Sequence, residues 1–172
     1  MKQFKLFIFL FLAFLLEGTI MMYIFPYENW GHIQMIPNFL FVLLLMVAFF
    51  ADEQWGISYA IIFGLLTDLV YTSVIGVYGF SMGLAVYVTY SLSRWVNMNA
   101  VMTLVLTAFG VFFLQTEVYL IYVMIGLTHQ SLNELLQWRI PATLGLNAVF
   151  ALIVYLPFRS FLTSIRETDV NR

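Results

Sequence analysis

Three carboxylic acids lie inside otherwise apolar stretches of the chain: Glu17, Asp68 and Glu117. An ionised carboxylate near the centre of a bilayer costs roughly 2.5–3.5 kcal/mol on insertion scales. Such a group can join helices through hydrogen bonds, contacts worth about 0.6 to 2 kcal/mol each. It can also line a polar pocket, and Arg139 falls where it could stand at the mouth of one. Asp68 has the most telling surroundings, FGLLTDLVYTSVIGVYGFSMG over residues 63–83. Gly64 and Thr72 flank it at helical spacing, and Gly76, Gly79 and Gly83 follow. Glycine lets helix backbones come close where lipid supplies no hydrophobic drive. The pattern predicts a tight hairpin in which Asp68 accepts hydrogen bonds from amides at the loosened start of the next helix. If the acid is a neutral hydrogen-bonding group, Asp68→Asn keeps the fold and loses little function.

Other chemistry is poorly represented. The chain has no cysteine, which excludes disulfides and thiolate sites. His32 and His129 are far apart in sequence, and two such residues do not make a metal site. No HExxH, GxSxG or glycine-rich nucleotide loop is present. No cofactor is expected. Seven Lys and Arg spread from end to end cannot form a nucleic-acid footprint. Gln115 and Asn147 are polar residues of the kind that face a bundle interior.

The elements that must hold these residues are membrane spans. Apolar residues make up 63% of the 172 positions and charged residues 9%, with a mean hydropathy of +0.95. A chain this poor in charge cannot cover a water-facing surface. The sequence is read as a single transmembrane domain, an all-α bundle with spans at about 4–25, 36–51, 55–72, 76–93, 100–126 and 140–163. The N-terminal apolar run is too long for a signal peptide and reads as the first span. Residues 56–92 would form a helix of about 55 Å if unbroken, so a break is expected at TSVIGVYG. LTHQSLNELLQWR reads as a short amphipathic surface helix, and residues 164–172 as a polar, mobile tail. With six spans and both termini cytoplasmic, Lys2, Lys5, Arg94, Arg159, Arg166 and Arg172 lie inside and Arg139 outside, as the positive-inside rule demands. The three acids then share the outer half.

Residues 36–90 carry a family resemblance. Pro37 opens the second span, Gly56, Gly64 and Asp68 form a G…GxxxD pattern in the third, and Gly76 and Gly83 follow. This arrangement resembles the bacterial rod shape-determining MreD family, which Asn147 and Pro157 also suit. The resemblance implies a non-catalytic, multi-pass plasma (inner) membrane subunit of the cell-elongation machinery. Its implied partners are MreC, the MreB filament, RodA and a class B penicillin-binding protein. It also implies a fold like the substrate-binding subunits of energy-coupling-factor transporters, with a pocket opening outward. Gly79 and Gly83 are then candidate surfaces for helix docking, and membrane lipid and a second copy of the chain in a homodimer complete the partners considered. Two other readings compete. A vitamin or small-solute transporter subunit would be expected to carry an AxxxA face on its first helix, where this chain has only Ala13. A membrane enzyme would need clustered bases or metal ligands.

Overall fold

The computed structural model describes residues 2–23, 35–128 and 130–170, with side chains placed for residues 4–19, 35–128 and 130–165. His32 and His129, the interfacial Tyr27 and Trp30, Arg172 and the side chains of Lys2 and Arg166 fall outside that description. The described residues are helical, with no strand among them. The helices are α1 (Lys2–Tyr23), α2 (Phe39–Phe50), α3 (Glu53–Tyr71), α4 (Val77–Ser93), α5 (Ala100–Met124), α6 (Leu132–Glu134) and α7 (Ile140–Val170), with a π-helical turn at Leu135–Arg139 between the last two.

The organising element is α2. Ten of its twelve residues are buried, from Leu40 to Ala48 together with Phe50, as expected for a helix that is hydrophobic all round. It touches α1, α3, α4, α5 and α7. At 1.5 Å per residue it is about 18 Å long, well short of the roughly 30 Å of bilayer hydrocarbon. Its N-terminus therefore starts inside the bundle.

The other helices turn large apolar side chains outward. Phe4, Leu12 and Leu16 of α1, Val101 and Met124 of α5, and Ile153 and Leu156 of α7 are all exposed. Two stretches, Ala100–Met124 and the continuous Leu132–Ile165, are long and apolar enough to cross a membrane by length and composition. Such helices are compatible with membrane insertion.

Local signals explain three of the helix starts. The Asp52 carboxylate accepts from the Trp55 amide at 3.1 Å and caps α3, and Asn99 does the same for α5 through the Met102 amide at 2.8 Å. Ser131 and Glu134 form a capping box. That box does not open a separate surface helix, as the amphipathic pattern suggested. α6, the π turn and α7 are contiguous, so these residues are the first turns of the last helix. The last helix, α7, carries on through Pro157 to Val170, so residues 164–170 continue it.

Helices α3 and α4 make the closest pair. A β-carbon built on Gly64 would sit 2.5 Å from the Tyr78 carbonyl oxygen and 2.7 Å from the Gly79 Cα. Gly79 meets Leu65, and Gly83 meets Ile61, both at 2.7 Å by the same construction. Gly76 differs from the rest: nothing crowds it, but its φ of 104° is one that L-residues avoid. It reverses the chain, and its β-position faces open space.

Candidate functional site

The ends of α1, α3 and α5 meet the starts of α2, α4 and α7 at one end of the bundle, and there the polar residues collect. The N-cap of α4 is Gly76, which has no side chain to offer its helix. Asp68, fully buried on the preceding helix, takes over that task. Its Oδ2 accepts from the amides of Gly76 at 2.9 Å and Gly79 at 3.0 Å, and its Oδ1 from the Tyr78 amide at 3.0 Å. The Thr72 hydroxyl lies 3.3 Å from Oδ1. Helix N-termini present several orphan amides and a positive dipole end, and a carboxylate answers both.

The start of α2 repeats the device. Its N-cap, Asn38, makes no capping bond with its side chain. Glu17 of α1 reaches across instead and accepts from the Leu40 amide at 2.6 Å. Thus the two short-starting helices, α2 and α4, are each capped by an acid on the helix before them.

Asn38 is freed for a second role. Its amide donates to Asn147 Oδ1 at 2.8 Å, and its Oδ1 accepts from Gln115 Nε2 at 3.3 Å. Gln115 Oε1 accepts from Arg139 at 2.9 Å, and Arg139 also donates to Gln130 Oε1 at 3.1 Å. Thr143 receives the Ile36 amide at 3.2 Å, and Asn147 donates to the Ile36 carbonyl at 3.0 Å. This chain of bonds ties the non-helical residues 36–38 to α5 and α7.

Between α1, the residues before α2, and the α3–α4 hairpin lies a cavity of about 160 Å³, lined among others by Glu17, Asn38, Tyr71, Thr72 and Tyr78. Of the four polar residues singled out from the sequence, Glu17 lines it directly. Asp68 sits behind Tyr78 and Thr72. Arg139 does not line it and is linked to it through Gln115 and Asn38. Glu117 stands apart: both carboxyl oxygens are enclosed with no hydrogen-bond partner among the described residues. The Asn38, Thr143 and Asn147 connections were not legible in spacing. The sequence offers Gln115 and Asn147 as polar residues within apolar stretches, and their partners follow from tertiary packing.

Gly79 and Gly83 are buried against Leu65 and Ile61 of α3, where they let the two helices of the hairpin approach closely.

Comparison with known proteins gives consistent results. The family profile described as rod shape-determining protein MreD matches residues 2–165. The Bacillus subtilis (strain 168) protein named Rod shape-determining protein MreD is 30% identical over 131 residues, which cover 76% of this chain and 76% of that protein. No solved structure matches. The family match spans the helices that build the capped corners and the polar chain between them, and on that ground the chain belongs to the MreD family of rod shape-determining proteins.

Proposed function

We propose that this chain is a non-catalytic scaffold of the bacterial elongation machinery, crossing the plasma membrane six times with both termini in the cytoplasm. In this reading it binds MreC and couples MreB filaments to peptidoglycan synthesis by RodA and a class B penicillin-binding protein. The observation that carries the reading is the family match over residues 2–165.

The geometry supports a scaffold in a second way. Asp68, Glu17, Asn38 and Gln115 spend their hydrogen-bonding capacity on helix starts and on each other. A general base needs a lone pair aimed at a substrate, and these acceptors are aimed at the protein's own amide, hydroxyl and guanidinium donors. The charge distribution favours cytoplasmic termini. Arg159, near the end of the bundle opposite the polar corner, bonds the Tyr155 hydroxyl at 2.8 Å and covers the Phe50 ring at 5.3 Å.

With Gly79 and Gly83 taken by α3, the MreC helix docks on a bulky apolar face. The transporter reading gains nothing from the cavity, since drug-sized and cofactor sites occupy about 300–1,000 Å³. The test is affinity purification from host membranes in mild detergent. MreC is expected to co-elute in comparable amount. A preparation that is folded and monodisperse yet free of MreC contradicts the reading.

A further inference from the structure

The cavity between α1 and the α3–α4 hairpin has an uneven chemistry. Most of its polar wall groups are already bonded within the protein: Glu17 accepts from the Leu40 amide, the Asn38 side chain bonds the Ile36 carbonyl and Gln115, Thr67 donates to the Phe63 carbonyl, and Thr72 to Asp68, while the Tyr71 and Tyr78 side chains add rings with a hydroxyl at the tip. What remains facing the space is mainly carbon, from Phe14, Ile36, Pro37, Tyr71 and Met82. Its volume is about 160 Å³. Cavities of about 150 Å³ with apolar walls stay free of water and take up benzene-sized hydrocarbon.

The wall on the α1 side is held at a distance. Aromatic rings bridge α1 to α3, Phe14 to Tyr71 at 5.6 Å and Phe14 to Phe63 at 6.2 Å between centroids. The Tyr71 hydroxyl packs on Gly18, where a β-carbon would collide with it. Tyr71 is itself 52% exposed at the outer surface of α3. The space thus lies behind a ring whose other face is turned to the surroundings of the bundle.

We propose that this cavity binds a hydrocarbon segment of a membrane lipid, inserted between α1 and α3 beside Tyr71. In a bilayer the abundant apolar molecule is the lipid chain itself, and the wall offers it mainly carbon contacts, with Glu17, Asn38, Thr67 and Thr72 engaged by the protein's own groups. The inference needs the chain to lie in a membrane and needs none of the protein partners, so loss of MreC binding leaves it standing.

The experiment uses the full-length protein in phosphatidylglycerol–phosphatidylethanolamine vesicles. One arm carries a phospholipid with a diazirine near the end of one acyl chain, and the other a diazirine-bearing polyprenyl phosphate. After irradiation, adducts are mapped by peptide mass spectrometry. Phe14 is 5% exposed and Met82 4% exposed, so a carbene outside the bundle has little access to them, whereas Leu152 of α7 is 56% exposed and serves as the control. Adducts on Phe14 and Met82 are expected alongside those on Leu152. The arm that produces them identifies the lipid as acyl or isoprenoid. Thr67→Leu, which fills part of the space with carbon, should lower the Met82 adduct about fourfold, the effect of displacing roughly one methylene, with Leu152 unchanged. Labelling confined to outward residues such as Leu152 in both arms overturns the proposal. Should Thr67→Leu fail to fold, the wild-type ratio of Met82 to Leu152 adducts decides alone.

Discussion

Asp68 has two oxygens that accept from three main-chain amides and one hydroxyl. Every one of those partners is a donor. An asparagine at this position would turn an NH2 group toward an amide N–H and leave it unpaired. The expectation that Asp68→Asn is nearly silent therefore changes once the bonding is known. We expect Asp68→Asn to destabilise by about 1–3 kcal/mol, the cost of an unsatisfied buried donor, read as a lowered melting temperature in detergent. Glu17→Gln should be milder, because a carbonyl oxygen can still face the Leu40 amide. Glu117 has no partner among the described residues, so Glu117→Leu removes an uncompensated polar group. It should leave the melting temperature unchanged or raise it, and a fall of several degrees would mean that the carboxyl has a partner. Charge and apolar context made Asp68 and Glu17 legible as candidates in the sequence. Glu17's partner was not legible, since Leu40 lies 23 residues away and is reached through tertiary packing.

At the scale of elements, the hairpin of α3 and α4 depends on two glycines for different reasons. Gly64→Ala would press a methyl group onto the backbone of α4, which has no side chain to rotate away. A cost of about 1–3 kcal/mol is expected from overpacking. Gly76→Ala meets open space but keeps a φ of 104°, and should cost roughly 1–2 kcal/mol through backbone conformation alone. Gly145 is exposed on α7 with nothing near its β-position. Gly145→Ala should therefore stabilise by up to about 1 kcal/mol. Thermal melts of the three variants check the order. The break before α4 was readable from glycine spacing and from helix length against bilayer thickness. The continuity of α6 with α7 was not, because an amphipathic segment reads alike whether it lies on a surface or begins a longer helix. The π turn at Leu135–Arg139 has no signal of its own in residue type.

For the whole molecule, α2 sets the architecture. A twelve-residue apolar helix surrounded by five others cannot reach both surfaces of a bilayer, so its buried start must be capped from outside, and Glu17 and the Asn38 network follow from that need. The proposed orientation puts this polar end outside the cell. The chain has no cysteine, so single-cysteine variants at Asn97 and Ser131 can be probed with an impermeant maleimide on intact cells. Labelling is expected at 131 alone, with 97 reacting after permeabilisation. Equal labelling at both would refute six crossings with this orientation. The central claim, a shape-determining scaffold whose α3–α4 corner must be intact, is met most directly by depletion of the protein in its host with complementation. Depleted cells should round up, wild type should restore rods, and Asp68→Ala at matched membrane abundance should not. Rods that persist through depletion would contradict the function, and full rescue by Asp68→Ala would contradict the role given to the corner.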